Sequence, residues 1–447
     1  MTDSQNTARL RRVGICPPQV LLPEKQIDLN KWAVIACDQY TSQQDYWERA
    51  AQIVGSAPST LNLIFPEIYL ERPDAGARIE RIHQAMASYL VDGVLAAPRQ
   101  GFIYIERQTA HAPLRRGLLA MIDLEKYDYN KGSTSPVRAT EGTILSRIPP
   151  RQAVRRGAAL ELPHVMLLID DPERRVIEPL AAHKHELEVA YDTDLMLGGG
   201  HVTGFWVEGE AAYGRLADAL EGLWQDIAAK CPEAPVLYAV GDGNHSLATA
   251  KACYEELKKT LGEAAAQAHP ARWAMVEINN VHDEGLNFAP INRVLFHTQP
   301  QERLAGLLAR AKALGWQPDL TALAPEELWP AVCAADAAGE QALGVVADGV
   351  CGLIRLGNPG HPLAVGAIQQ LLDETLQDGE SLDYVHGIET TLTMGIQQGN
   401  MSFLLPAMDK HALFPAIEQA GALPRKTFSM GEADEKRFYL ECRRITA

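Results

Sequence analysis

The chain has 447 residues, of which 47% are hydrophobic and 22% charged, and carries a formal net charge of −16. Such a composition excludes a disordered or fibrous chain, and at roughly 150 residues per domain it predicts two or three domains or one large composite α/β unit. The acidic balance repels phosphate backbones and so argues against a nucleic-acid partner, while a local basic site for a small anion remains compatible with it.

In MTDSQNTARLRRVG no apolar core follows the basic residues, which predicts no secretory signal. No apolar run approaches the roughly 20 residues that cross a bilayer. The seven cysteines are widely spaced and form no CxxC, as expected of reduced thiols rather than a disulfide frame or zinc site. The expected location is the cytoplasm, with no membrane contact.

Along the chain, WAVIACDQY (32–40) predicts a buried strand and a polar turn, followed by a helix over 43–53. Ile79, Ile82, Met86, Leu90 and Val91 give 77–93 the spacing of an amphipathic helix. Residues 101–108 and 117–127 predict paired strands, and HVMLLIDDP (164–172) another buried strand. A helix is expected over 214–230, a strand over 236–240 and a helix over 247–259. A strand over 273–281 and a helix over 301–315 follow. The alanine-rich stretch 321–343 suits a linker or peripheral helix, and 437–445 a final strand. Strands and helices mix throughout, so the class is α/β, in the mixed α+β sense.

Five stretches carry chemistry. VLYAVGDGNHSLATA (236–250) places Gly241, Asp242, Gly243, Asn244, His245 and Ser246 between a strand and a helix. Backbone N–H groups and the positive end of a helix dipole meet there, as in a phosphate cradle. The loop is neither a P-loop nor a dinucleotide fingerprint nor a nucleophile elbow. The same residues also suit a tight turn in which Asp242 or Asn244 caps the helix. In SPVRATEGTILSRIPPRQAVRR (135–156), Arg138, Glu141, Thr143 and Arg147 lie in one loop. Arg151 and Arg155 follow on one expected helix face, where arginine forks match phosphate oxygens. An exposed basic helix start is the alternative.

VHDEGLNFAPINRV (281–294) offers Asp283 and Glu284 as ligands for a divalent metal, or as a self-capped polar loop, with Arg293 downstream. YVHGIE (384–389) contributes His386, and LPRKTFSMGEADEKRFYLE (423–441) contributes Arg425, Lys426 and Thr427, two cations and a hydroxyl that suit an anion. HKHELE (183–188) with His201 suggests zinc only on a strand, and no HExxH occurs.

In this order the five stretches resemble a bacterial and archaeal family catalogued as domain of unknown function 1015. The family's Ala-Asp-Gly-His-His-Arg loop is similar to Gly241–Ser246, its His-Glu-Lys-Thr to Thr140–Thr143, and its Pro-x-His-Arg to Pro290–Arg293. Its Val-His-Gly is similar to Val385–Gly387, and its Met-Pro-Arg-Lys-Ser-Thr to the stretch from Leu423 to Thr427. The chain departs from the family at Thr140 and Asn244, where the family has histidine, and at Ser246, where it has arginine.

The loop is more remotely similar to that of the ParB/sulfiredoxin superfamily, one branch of which is a free serine kinase. The resemblance therefore implies a nucleotide-binding core of that kind within a large composite unit. The expected regions are 1–230, an N-terminal α/β region with the Arg/Glu/Thr segment; 231–300, the strand–GDGNH–helix core; and 301–447, a C-terminal α/β region completing the site. It also implies ADP or ATP and Mg²⁺, and a kinase-type transfer to a small hydroxy metabolite, serine or phosphoserine first.

In that picture His245 donates to phosphoryl oxygens, and Asp242 or Glu141 acts as general base or holds Mg²⁺. Arg138, Arg147, Arg425 and Lys426 neutralise charge, with Gly241, Gly243, Asn244, Ser246, Thr143, Thr427, Arg293 and His386 completing the anion site. Asp38 is a further candidate at a strand end. A metal-assisted phosphatase and a non-catalytic nucleotide switch are the alternative classes, and the oligomeric state is left open.

Overall fold

The computed structural model describes residues 4–41, 43–130, 132–361 and 363–446. It is a mixed α/β structure of two compact units. The first comprises Met1–Asn287, Phe414–Ala422 and Ala433–Ala447; the second comprises Phe288–Leu413 and Leu423–Glu432. Among the described residues no helix is long and apolar enough to cross a membrane.

The first unit is built on the strand Trp273–Asn280, buried at every position. It pairs antiparallel with Arg115–Asp123 and parallel with Met166–Ile169. Outward on one side lie Phe102–Gln108, Gly200–Val207 and Val189–Leu195; on the other lie Tyr238–Asp242, Val137–Arg138 and Tyr127–Asp128.

Side chains alternate along these strands and feed two cores. Phe102, Tyr104, Leu118, Ala120, Val276 and Ile278 enter one, with Leu216, Leu220 and Leu223 of the helix Glu210–Lys230 and Leu247, Ala250 and Tyr254 of the helix Asn244–Leu261. Ile103, Ile105, Leu119 and Met275 enter the other, with Tyr46, Trp47 and Ala50 of the helix Gln44–Val54 and Phe438, Tyr439 and Leu440 near the C-terminus. The sheet is thus covered on both faces, which is why its central strands have near-continuous apolar runs.

The second unit carries an antiparallel sheet in the order Pro318–Ala322, Val350–Leu356, Ala342–Ala347, Met401–Leu404, Asn292–Phe296, Ser381–Val385. The helices Pro300–Ala313 and Ala364–Thr375 supply Leu304, Leu307, Val365 and Ile368 to its core.

Two expectations are corrected. The buried strand and polar turn expected over 32–40 are present, but the strand is only Val34–Ile35, because Trp32 closes the short helix Leu29–Trp32. Asp28 caps that helix by accepting from the Asn30 N–H at 3.0 Å. At 321–343, for which a linker or peripheral helix is expected, the helix Pro325–Ala337 bears out the second alternative; it lies between the end of one sheet strand and the start of another, with Leu328 and Val332 packed into small cores. The expected strand 437–445 is broken because it changes partners. Phe438–Tyr439 pairs with Val34–Ile35, Cys442 bridges Leu21, and Arg443–Arg444 pairs with Leu160–Glu161.

The C-terminal segment is tied to the central strand by buried charge. Arg437 donates from Nε to Glu277 at 2.9 Å and from Nη1 to Glu441 at 3.0 Å, and the Tyr191 hydroxyl donates to Glu441 at 2.6 Å. Burial alone would raise the Glu277 carboxyl, but Arg437 and Arg115 hold it below the usual carboxylate range. Its contribution to stability is therefore present above the unfolded pKa and lost as pH falls through the folded one. Replacing Arg437 by Met leaves Glu277 and Glu441 buried without their main cation. Urea unfolding should show a loss of about 3–5 kcal/mol; a loss under about 1 kcal/mol, the range of exposed ion pairs, would contradict this role.

Candidate functional site

A single residue, Gly243, joins the strand Tyr238–Asp242 to the helix Asn244–Leu261. Its φ of 81° lies in the left-handed region, and a Cβ there would stand 3.1 Å from the Val165 Cα. Glycine meets both constraints at once. The helix starts earlier than the expected residue 247, so Asn244, His245 and Ser246 form its first turn. Gly243 is the N-cap of this helix and has no side chain to cap it with, while its own N–H donates to Asp242 Oδ1 at 2.8 Å; the first N–H groups of a helix have no partner within it.

Asn244 does not cap the helix because its amide is engaged with Thr140. The Thr140 N–H donates to Asn244 Oδ1 at 3.2 Å, Asn244 Nδ2 donates to Thr140 Oγ1 at 3.2 Å, and Thr140 Oγ1 donates to the Val240 carbonyl at 2.6 Å. The two positions at which the chain departs from the resembled histidines are therefore partners. One residue on, His245 Nε2 accepts the Ile144 N–H at 3.3 Å. That bond places the proton of a neutral imidazole on Nδ1. Helix and 140–144 segment are thus stitched together twice. Between the stitches, Thr143 Oγ1 is buried with no hydrogen-bond partner among the described residues.

Beside the loop, Lys436 Nζ lies 2.9 Å from Asp242 Oδ2, and Lys436 is buried. The short helix Ile148–Arg155 follows the stitched segment, and from it Arg151 Nε donates to Glu67 Oε1 at 2.7 Å and Arg155 to Glu161 at 2.6 Å. The expected anion-gripping arginine pair is thus matched to two carboxylates. The Glu67 N–H donates to the Cys37 carbonyl at 2.8 Å, beside Asp38. Burial and the Asp38 carboxylate hold the Glu67 carboxyl above its usual range, against the pull of Arg151. The Tyr439 hydroxyl lies 2.8 Å from His164 Nδ1 and 3.2 Å from Cys37 Sγ. His164 is two residues before Met166, the strand partner of Asp242.

The first unit therefore gathers Thr140, Thr143, Asp242, Gly243, Asn244 and His245, with Ser246 half-buried in the same turn and Gly241 in the strand. Glu141 is half-buried beside Thr140, and Arg147 is exposed. Arg138 is buried and turned away from anion duty, its Nε on the Ser135 carbonyl at 2.8 Å and Nη2 on the Ala234 carbonyl at 2.7 Å. Burial lowers its pKa.

The second unit holds Arg293, His386, Arg425, Lys426 and Thr427. Arg293 is fully buried and donates to the carbonyls of Lys426 at 2.8 Å and Arg425 at 2.9 Å, bracing that turn. Lys426 has a φ of 54°, Arg425 pairs with Asp373, and Thr427 Oγ1 donates to the Pro424 carbonyl at 2.6 Å.

The two carboxylates considered for a metal engage different arginines. Asp283 is buried 3.3 Å from Arg116, and Glu284 is exposed 3.2 Å from Arg174. His201 bonds Asp194 and Asp192, and Asp194 leads in raising its pKa. Among the described residues no group of three or more His, Cys, Asp or Glu side chains is placed to hold a metal ion.

Sequence reasoning did not single out Lys436, Glu67 or His164. Lys436 stands in an Asp-Glu-Lys-Arg run that looks like solvated charge, and Glu67 and His164 carry no local signal.

A family model described as "Protein of unknown function (DUF1015)" matches residues 21–375. No curated protein matches the chain significantly. Among solved structures, a free serine kinase variant in complex with ADP is similar at a TM-score of 0.38 and 12% identity, over 76% of this chain and 95% of that one. A conserved hypothetical protein from Pyrococcus furiosus is similar at 0.37 and 12%, over 73% and 95%. SbnI from Staphylococcus aureus, truncated at its C-terminus, is similar at 0.36 and 8%, over 73% and 87%.

The Thr140–Asn244 pair is open to a double-mutant cycle. Thr140→Val and Asn244→Ala should each destabilise, with a coupling energy of about 1–2 kcal/mol in urea unfolding. Additive effects would show that the two side chains act independently.

Proposed function

This chain belongs to the DUF1015 family of proteins of unknown function, and we propose that it is a phosphotransferase that moves a phosphoryl group between a nucleotide and a small hydroxylated metabolite. The observation that carries the proposal is the helix start at Gly243. Its N-cap residue is a glycine that supplies no side-chain cap, and the buried Thr143 hydroxyl in the segment stitched to it has no partner among the described residues. The N–H groups of a helix's first turn, at the positive end of its dipole, are suited to phosphate oxygens. The Lys436 ammonium beside Asp242 adds positive charge at the same loop.

The roles divide as follows. The first-turn N–H groups hold phosphate, and Lys436 offsets charge that develops during transfer. His245 positions the 140–144 segment through Ile144, and its Nδ1 carries the ring proton. Glu67 is the general base, because a carboxyl held above its usual range accepts a proton more readily near neutral pH. As the substrate hydroxyl oxygen bonds to phosphorus, its proton passes to Glu67 and the bond to the leaving phosphate oxygen breaks. The Glu67 and Asp38 carboxylates also suit an ammonium group, which makes serine and phosphoserine the first substrates to try. Mg²⁺ bound with the nucleotide would supply further neutralisation. The described residues form no three-ligand cage for it, so the protein's own share falls to Lys436 and the helix start.

A ³¹P NMR time course with O-phosphoserine, ADP and Mg²⁺ tests this directly. A growing ATP β-phosphate signal is expected. Free phosphate without ATP would replace the transferase with a hydrolase, and an unchanged spectrum with bound ADP would favour a nucleotide switch. His245→Ala should lower turnover by about 10²-fold with the fold intact, through misplacement of the 140–144 segment; full activity would remove that role. Turnover should rise with pH on a limb centred above the ordinary carboxylate value of about 4.3, and Glu67→Gln should abolish the limb. In stability the sign is inverse. With its folded pKa raised, Glu67 contributes below the unfolded value, and the contribution is lost as pH rises through the folded one.

A further inference from the structure

A second polar centre lies in the first unit, within the core on the sheet face opposite the helix Asn244–Leu261. It is a cavity with room for about one water molecule, walled by Arg107, Arg115, Arg437 and Glu277 and closed by apolar side chains that include Ile105 and Phe438. We propose that this cavity is a binding site for a single monatomic anion of halide size, held between the Nε–H groups of Arg107 and Arg115.

Three observations converge. First, both arginines are buried, at 3% and 4% exposure, and the Nε of each has no hydrogen-bond partner among the described residues. Second, the side-chain hydrogen bonds shown for them go to neutral carbonyls. Arg107 donates to Asp434 at 3.1 Å, to Lys436 at 3.5 Å and to Gly199, and Arg115 donates to Glu435 at 2.9 Å. Arg437, by contrast, is matched by Glu277 and Glu441. The wall therefore holds more positive than negative charge, with Asp434 and Glu435 moderating it from outside the cavity. Burial and the neighbouring Arg115 pull Arg107 down to about 9. Third, the space admits one small sphere and excludes phosphate, sulfate or a carboxylate.

A buried cation without a counter-charge is costly, and an anion between two such donors removes the cost. Three of the carbonyls that Arg107 and Arg115 grip belong to residues 434–436, the segment that carries Lys436 to Asp242. The ion would thus brace the loop from behind, whether or not the loop transfers a phosphoryl group.

The test is the melting temperature of the full chain at constant ionic strength as sodium gluconate is replaced by sodium chloride or bromide. Once the site is saturating, each tenfold rise in halide should lift it by about 2 °C, and Arg115→Met should remove that response. Should Arg115→Met fail to fold, crystals of the unaltered chain grown in bromide decide the matter through an anomalous peak between the two Nε atoms. Equal melting in gluconate and halide, a response that survives in Arg115→Met, or a cavity without an anomalous peak would overturn the proposal.

Discussion

The buried guanidinium of Arg437 is the constraint on which the rest of the first unit depends. It joins Glu277 of the central strand to Glu441 near the C-terminus and donates to the Pro163 carbonyl at 3.0 Å. Charges taken out of water are tolerated only when matched and hydrogen-bonded. This group is matched twice, so the segment from Lys436 to Leu440 has one place to lie. Lys436 then falls beside Asp242, and Tyr439 between Cys37 and His164. A side chain that makes no contact with the helix start thereby fixes much of what surrounds it.

The loop itself shows how a departure from a resembled motif can be internally consistent. Thr140 and Asn244 are small, and they meet through two hydrogen bonds in a buried place. Two histidines in their place would need more room and a different pattern of protons. The helix start keeps what depends on the backbone: the left-handed Gly243 and the N–H groups of the first turn. It changes what depends on side chains. A phosphate seat made from the backbone, as proposed for this loop, would survive such changes, whereas substrate choice would not have to.

Much of the fold was legible because local period and burial agree. The helices Ala75–Val91 and Glu210–Lys230 follow their 3.6-residue spacing, and Trp273–Asn280 follows its apolar run. The stretch 321–343 was legible only as a linker or peripheral helix because alanine is compatible with almost any element; the strand ends on either side of its helix are set by pairing with Val350–Leu356. The site was half legible. Glycine, helix start and polar loop are adjacent in sequence, so the loop could be found. The arginines could not be sorted, because a guanidinium looks the same whether its partner is a phosphate, a carbonyl, as for Arg138 and Arg293, or a carboxylate, as for Arg151. Lys436 and Glu67 reach their positions only through long-range packing.

The central claim is that the first turn after Gly243 is a seat for phosphate oxygens. Hydrogen–deuterium exchange of the peptide spanning 238–250, with and without saturating ADP, addresses it without assuming turnover. The account predicts slowed exchange at the amides of residues 244–246, together with the stitched segment around Ile144. Bound ADP that leaves those amides unprotected, or protects only another region, would contradict it.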